Sequence, residues 1–371
     1  MLAARNHSVT LPARPDEIRV DLGARAYSVV VGTGLLPELG ERLAALGLTG
    51  RCAIVTNETV GALYLAPVEE SLRGAGFEPI VVTVPDGESH KSRASLDRIY
   101  DRLLPMGIDR RTPLVALGGG VVGDLTGFAA ATLLRGVPVV QVPTTLLAQV
   151  DAAIGGKTAI NHPAGKNLVG AFHQPRLVVA DVATLRTLPE RELLAGLAEV
   201  VKYGVIGDAR LFGRLEDQAP ALLAREPDVL VAAVTASARQ KAAVVAADER
   251  EEGGERAVLN FGHTVGHALE AVTDYRRYLH GEAVAVGMVA AARVSHALGV
   301  CDAEVGTRIE RLLSGLGLPT AVPAELRTPA LAAAMQRDKK SRSGRIRFVA
   351  VETIGRTRFV DIDGSEILKL L

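Results

Sequence analysis

TPLVALGGGVVGDLTGFAAATLLRGVPVVQVPTT, residues 112–145, is the stretch whose reading decides the fold. It opens on a short, continuously apolar run that ends in three glycines. VVGDLTGFAAATLL then reads as a helix, and VPVVQVPTT as a second short strand. Short all-apolar strands alternating with helices belong to a parallel sheet covered on both faces. The alternation extends upstream. EIRVDL and AYSVVVG read as strands around a turn at Gly23, LLPELGERLAAL as an amphipathic helix, and RCAIVTNE as a buried strand leading into a helix. EPIVVTVPDGE is a further strand, and SRASLDRIYDRLLPMG a helix stopped by Pro105 and Gly107. Downstream of about residue 188 the apolar period changes from two to 3.6, and helical segments follow one another. Only RIRFVAVETIG, near the end, reads as a strand pair. The expectation is an α/β unit with a mostly parallel sheet over residues 1–187, then a mainly α-helical unit over 188–371.

Composition narrows the function. The 371 residues suit about two domains, and 48% hydrophobic content sustains a large core. Basic and acidic residues balance at 42 each, so nothing points to nucleic acid or an anionic membrane, and any anion must be met in a local pocket. Trp is absent and aromatics are 4%, which removes stacking platforms for single strands. Cys52 and Cys301 have neither metal nor CxxC spacing and read as small core residues in a reducing cytoplasm. No run of about 18 apolar residues escapes a charge, so no membrane span is expected.

Gly118, Gly120 and Gly123 match G-x-G-x-x-G between a strand and a helix, where N–H groups and the helix dipole attract phosphate. The turn is not in the first βαβ unit, and no acidic residue ends the next strand to hold a ribose, so a variant nucleotide site or a plain tight turn fits better than a standard one. PDGESHK supplies another strand-end turn with Glu88 and Lys91. QVDAAIGGKTAINHPAGKNLVGAFHQP reads as a long irregular loop carrying Asp151, Lys157, Lys166 and Asn167. Ala152, Ile154, Ile160, Leu168, Val169 and Phe172 imply that it packs inward, leaving the lysines to line something. His162 and His173 read as structural or surface residues.

Residues 256–280, RAVLNFGHTVGHALEAVTDYRRYLH, begin as a helix on which Arg256, Asn260, His263 and His267 are spaced by four, three and four. That spacing stacks them on one face among apolar neighbours. Glu199 and Lys202, three apart on another apolar helix, could be a buried ion pair. With His263, His267 and His280 in reach, a carboxylate and two histidines would also make a zinc site with an open position. Spacing does not choose two histidines from the three. His296 reads as a core or surface histidine, and Lys339 and Lys340 as a charged turn.

PDGESHK, the run from Gly118 to Pro175, TLRTLPERELLAGLAEVVKYG, KAAVVAADERE, LNFGHTVGHALEA, LHGEAVAVGM and DKK cover most of residues 85–345, and together they resemble the 3-dehydroquinate synthase family of sugar phosphate cyclases. The resemblance implies a Rossmann-like N-terminal domain, an α-helical C-terminal domain and an active site in the cleft. It implies a phosphate-eliminating lyase of the shikimate pathway, cytoplasmic and homodimeric, that uses NAD and a divalent metal, zinc or cobalt. The implied reaction converts 3-deoxy-D-arabino-heptulosonate 7-phosphate to 3-dehydroquinate and phosphate. Its course is transient oxidation at C5, phosphate elimination, re-reduction, ring opening and an intramolecular aldol.

Carried over residue by residue, the resemblance makes Glu199, His263 and His280 the metal ligands. It puts NAD near Asp86, Gly87, Glu88 and Lys91, along Gly119, Gly120, Val121, Val122, Gly123 and Asp124, and at Thr144, Thr145, Lys157 and Lys166. Thr184, Leu185, Arg186 and Thr187 complete that set, with Asn57 standing where many members have Asp for the adenosine ribose. Lys157, Asn260 and Asp151 would orient hydroxyls, Lys241 and Arg256 would take the carboxylate, and Lys202 would also touch the substrate. Asn167, His267, Lys340 and Arg135 would take the phosphate, Arg135 from across a dimer interface. One residue more than the family's usual pattern lies between Glu251 and Arg256, which bears on the placement of Lys241. The alternatives are another sugar phosphate cyclase, a metal- and NAD-dependent polyol dehydrogenase, and a non-catalytic nucleotide-binding protein.

Overall fold

The computed structural model describes residues 15–337, 341–342 and 345–371. The strands are β1 (Asp16–Val20), β2 (Tyr27–Gly32), β3 (Arg51–Asn57), β4 (Glu78–Val84), β5 (Leu114–Gly118), β6 (Val139–Pro143), β7 (Lys157–His162), β8 (Gly165–Phe172), β9 (Leu177–Asp181), β10 (Ser341–Arg342), β11 (Arg345–Thr353) and β12 (Arg356–Ile362). Helices α1 (Leu39–Ala45), α2 (Glu58–Gly74), α3 (Arg93–Leu103) and α4 (Gly120–Thr132) flank the first strands. The helical half holds α5 (Glu190–Gly207), α6 (Ala209–Leu223), α7 (Pro227–Ala247), α8 (His263–Val272), α9 (His280–Ala297), α10 (Ala303–Gly315), α11 (Pro329–Gln336) and α12 (Gly364–Leu370).

The central sheet runs β1-β2-β9-β6-β5-β3-β4, with every pairing parallel except β1 with β2. β5, β6 and β9 are buried along their whole length, as expected of strands with a helix on each face. Strand order reverses between β3 and β5. In open α/β sheets the crevice outside the carboxyl ends of such strands is where ligands bind. The ends here are Asn57 and Gly118. The helical half also carries a three-stranded antiparallel sheet, β10-β11-β12, in which residues 345–355, expected as a strand pair, make the single strand β11 and the turn to its partner β12.

α7 is long and apolar enough to cross a membrane by length and composition. It is a core helix instead, packed on β1, β2, α5 and α6, with Thr235, Ser237 and Lys241 buried. Both cysteines are free thiols, Cys52 buried and Cys301 half-buried.

Two expectations are corrected. Residues 256–267 are not one helix: Glu255–Asn260 form a short 3-10 turn, and α8 starts only at His263. The break is at Gly262, whose φ of 80° is left-handed and which abuts α9, where a Cβ would meet Met288 at 2.7 Å. Residues 149–175 are not an irregular loop packed inward. Ala148–Ala152 make a π-helical turn, and β7 and β8 form an antiparallel hairpin. Ile154 and Ile160 are buried, but Leu168, Val169 and Phe172 on β8 are 41–45% exposed. Successive side chains of a strand point to opposite faces, so the exposure of both Leu168 and Val169 leaves β8 uncovered on either face, while β7 packs on α4.

Candidate active site

Three helices bring the metal-type residues together. Glu199 lies mid-way along α5, His263 opens α8 and His280 opens α9. The helix crossings are close because glycine sits at them. A Cβ on Gly281 would fall 1.9 Å from the Ala195 carbonyl oxygen of α5, and one on Gly287 would fall 1.9 Å from that of Gly262, just before α8. Nε2 of His263 lies 3.5 Å and Nε2 of His280 3.6 Å from Oε1 of Glu199. Zinc bonds of about 2.0–2.1 Å in tetrahedral geometry require donor–donor separations of about 3.3–3.4 Å, so this spacing suits a shared cation.

The surroundings prepare these donors. Glu199 is fully buried, and neither carboxylate oxygen accepts a hydrogen bond from the described residues, although the Lys202 ammonium lies against Oε2. Oε1, which lacks even that partner, is the kind of buried atom a cation satisfies. Burial would raise its pKa, but Lys202 and the two histidines hold it below the usual carboxylate range. Burial pushes His263 well below the ordinary imidazole value, toward the neutral ligand form. Its Nδ1 lies 3.1 Å from the Phe261 carbonyl oxygen, so Nδ1–H donates and the Nε2 lone pair is left for a metal. Nδ1 of His280 lies 3.1 Å from Glu270, and burial is outweighed there by Glu199 and Glu270, which hold the ring up to about 10. Ring nitrogens of His263, His267 and His280 all lie within 4.8 Å of one another, so His267 belongs to the cluster by position.

The cluster continues on the other side. Lys202 also stands over the Tyr203 ring at 4.8 Å, and the Tyr203 hydroxyl donates to Asp151 at 2.8 Å. Lys241 pairs with the same Asp151 oxygen at 2.6 Å. Burial pushes Lys241 down to about 8, against the pull of Asp151. Arg256 is 1% exposed, and its fork donates to the Glu249 and Gly155 carbonyls at 2.6 and 3.3 Å, with Nε unpartnered. That guanidinium therefore holds the Gly155–Gly156 turn preceding Lys157 and is buried near enough to Lys241 to repel its charge. Lys157 itself is half exposed and paired with Glu251 at 2.7 Å. Asn260 donates to the Ala257 carbonyl at 3.0 Å.

The nucleotide-type residues collect at the strand-order reversal. Gly119 caps α4, and a Cβ there would meet Thr145 at 2.9 Å, while Gly120 lies open, with the Cβ of Ala152 as its nearest neighbour at 3.5 Å. The turn is a backbone cradle at a helix N-terminus, which fits a phosphate-bearing cofactor. The side chain of Val122 goes into the core while Val121 stays half-buried. Thr144 is buried; Thr145 accepts the Ala148 N–H at 3.3 Å. Asp124 and the exposed Asn167 both meet the buried Lys91 ammonium, and burial lifts the Asp124 carboxyl to about 6 against the pull of Lys91. Glu88 accepts from Asn161 at 2.8 Å, which zips the Asp86–Lys91 turn, with Gly87 at φ 101°, to β7.

Asn57, at the carboxyl end of β3, makes two local contacts. Its Oδ1 caps α2 through Val60 N–H at 2.8 Å, and its Nδ2 donates to Asp86 at 2.9 Å. Thr184 and Leu185 are buried in the core, Arg186 is exposed beside them, and Thr187 pairs with Tyr64. Arg135 is exposed, in left-handed backbone with Leu134 (φ 67° and 50°), and does not join the cluster within one chain. Lys339 and Lys340 lie outside the described residues. His162 and His296 contact backbone two and five residues on, and His173 contacts the distant Val137 carbonyl.

The 3-dehydroquinate synthase N-terminal family model matches residues 81–195, and the 3-dehydroquinate synthase C-terminal model matches residues 196–341. A relative named 3-dehydroquinate synthase from Geobacter sp. (strain M21) is 52% identical over 343 residues, 92% of this chain and 94% of its own. The chain belongs to the 3-dehydroquinate synthase family. One of the same name from Geobacter metallireducens (strain ATCC 53774 / DSM 7210 / GS-15) is 52% identical over 354 residues, covering 95% of this chain and 98% of its own. Among solved structures, 2-epi-5-epi-valiolone synthase from Streptomyces hygroscopicus subsp. jinggangensis 5008, with NAD+ and Zn2+ bound, superposes with a TM-score of 0.84 at 30% identity, over 93% of this chain and 95% of that one. The chain is thus an enzyme of a phosphate-eliminating cyclase family.

Sequence reading missed Glu270, Tyr203 and Glu251. Glu270 was legible: it lies seven residues after His263 and three after His267, on the same face of α8. Tyr203 and Glu251 act only through contacts made in the folded chain.

Proposed function

We propose that this chain converts 3-deoxy-D-arabino-heptulosonate 7-phosphate to 3-dehydroquinate and phosphate. The observation that carries the reading is the convergence of Glu199, His263 and His280 beside the buried Lys241–Asp151 pair and below a glycine-rich helix start. Glu199, His263 and His280 would hold zinc or cobalt, and the Gly119–Asp124 turn with Asp86, Lys91, Lys157 and Lys166 would hold NAD. When bound, these groups would supply hydride transfer and polarisation of the reacting hydroxyls.

The chain's own residues position and compensate charge. Lys241, with Arg256 near it, meets the substrate carboxylate, while Asp151, Lys157 and Asn260 orient hydroxyls. Lys202 neutralises the far oxygen of Glu199 and stands within reach of the substrate. His267 and Asn167 lie toward the phosphate. Arg135 would reach it from a second copy; its exposure and left-handed backbone support such a use, since strain of this kind gathers at functional sites. The exposed apolar side chains of β8, Leu168, Val169 and Phe172, support a homodimer. Two free thiols support a cytoplasmic location. We place the boundary between the two domains at residues 187 and 188, where the last sheet strand and its 3-10 turn give way to α5.

The test is to incubate the pure protein with the heptulosonate phosphate, trace NAD and a divalent metal. Phosphate release at constant NADH absorbance is expected. Net NADH formation would favour a polyol dehydrogenase, and activity only on a neutral sugar phosphate would favour another cyclase.

A further inference from the structure

We propose that Glu270 is a positioning residue that orients His280 for the metal and makes metal retention depend on the engagement of Lys166. This rests on the ligand set and the cofactor lysine proposed above.

Glu270 is 4% exposed on α8, and its two oxygens serve different partners. Oε2 lies 3.1 Å from Nδ1 of His280, whose Nε2 faces Glu199 at 3.6 Å. A ring that ligates through Nε2 must donate from Nδ1, so this contact fixes both the tautomer and the ring plane. His263 has its Nδ1 turned to a backbone carbonyl, a neutral acceptor no substitution removes. His280 alone depends on a side chain that carries charge. Oε1 of Glu270 lies 3.4 Å from the Lys166 ammonium, which also stands 4.2 Å over the Tyr275 ring. Lys166 is on β8, in the hairpin tied to the nucleotide turn through Asn161 and Lys91. Glu270 therefore touches a residue of each proposed site.

The sign of the coupling follows from charge. While Lys166 sits on Oε1, it draws on the carboxylate that supports His280 and adds a positive charge near the metal position. When Lys166 turns to a dinucleotide phosphate, both effects fall, and the metal is held more tightly. Linkage makes the effect reciprocal: bound metal favours the cofactor by the same factor.

The experiment uses chelator-stripped full chain titrated with Co2+, read by its visible absorption, with and without NAD+. Glu270→Gln keeps shape and removes charge. It should weaken Co2+ about 10- to 100-fold with parental circular dichroism. NAD+ should tighten Co2+ several-fold in the parent and not in Glu270→Gln. Lys166→Met should tighten Co2+ in the parent without NAD+. Lys166 is 30% exposed, so this variant reads the coupling even if Glu270→Gln fails to fold. Parental Co2+ affinity in Glu270→Gln, a surviving NAD+ effect in it, or no tightening in Lys166→Met would overturn the proposal. His263→Ala separates the readings: if it keeps tight Co2+, the ligand set is wrong, and if it alone loses Co2+, only the role of Glu270 fails.

Discussion

Lys241→Met asks whether the buried lysine serves the substrate or only the fold. Burial pushes its ammonium down from 10.5 to about 8, with Arg256 and Lys202 repelling it and Asp151 pulling the other way. Keeping that charge at pH 7 costs roughly 3 kcal/mol, at about 1.36 kcal/mol per tenfold in the proton equilibrium. Methionine removes the cost but orphans Asp151, and breaking a buried pair typically costs about 3–5 kcal/mol. Asp151 is partly screened here: its side chain is 31% exposed, and it keeps the Tyr203 hydroxyl and the attraction of Lys202. The two effects largely offset, so stability at pH 7 should change by only about 1–2 kcal/mol.

The substrate effect should be larger. A charge-assisted hydrogen bond contributes about 1.5–3 kcal/mol, which raises KM about 10- to 150-fold, with kcat less affected. The pH dependence has a definite sign. The folded value lies below the unfolded one, so between about 8 and 10.5 the unfolded chain binds more protons, and parental stability rises with pH relative to the variant. Over the same change the parent loses the charged lysine, so its KM rises as pH passes about 8, and the variant lacks that inflection. Phosphate release between about pH 6.5 and 9.5 and urea unfolding at the same values read both. Parental KM with lost stability would refute the substrate role and leave a structural ion pair.

Glu199→Ala and His263→Ala should each abolish turnover by loss of metal, read as metal content after dialysis; full activity after exhaustive chelation would contradict the ligand assignment. Gly281→Ala places a Cβ 1.9 Å from the Ala195 carbonyl oxygen, so α9 must shift from α5. The expected result is weaker metal binding and a loss of about 1–3 kcal/mol, and unchanged affinity would show that the crossing does not set the ligand spacing. Phe172→Glu puts a charge on the exposed apolar edge of β8, and light scattering should show a shift from dimer to monomer. A dimer that persists would place the interface elsewhere.

Much of the fold was legible because its signals are local. β5, α4 and β6 could be read from 112–145, since all-apolar runs and glycine punctuation depend only on neighbouring residues. The change to helical periodicity near 188 could be read for the same reason. The helix expected through Arg256 and His267 failed because spacing alone does not show Gly262 in left-handed backbone against Met288. The inward loop failed because local sequence does not show that α4 packs on β7 and leaves the apolar side chains of β8 uncovered.

The site divides the same way. The sequence by itself determined which residue types were present and in what order: the glycine turn, the lysines of residues 157–166, and three histidines after Glu199. It left the histidine pair His263 and His267 open on spacing, and only the resemblance chose between them. The tertiary structure decided that Oε1 of Glu199 lies within 3.6 Å of His263 and His280, that Lys241 and Tyr203 share Asp151, and that Glu270 backs His280. The physical reason is that these distances come from packing between segments up to 90 residues apart in the chain. That packing depends on which backbones can touch, and glycines such as Gly281 and Gly287 allow the contact only once their partners are in place.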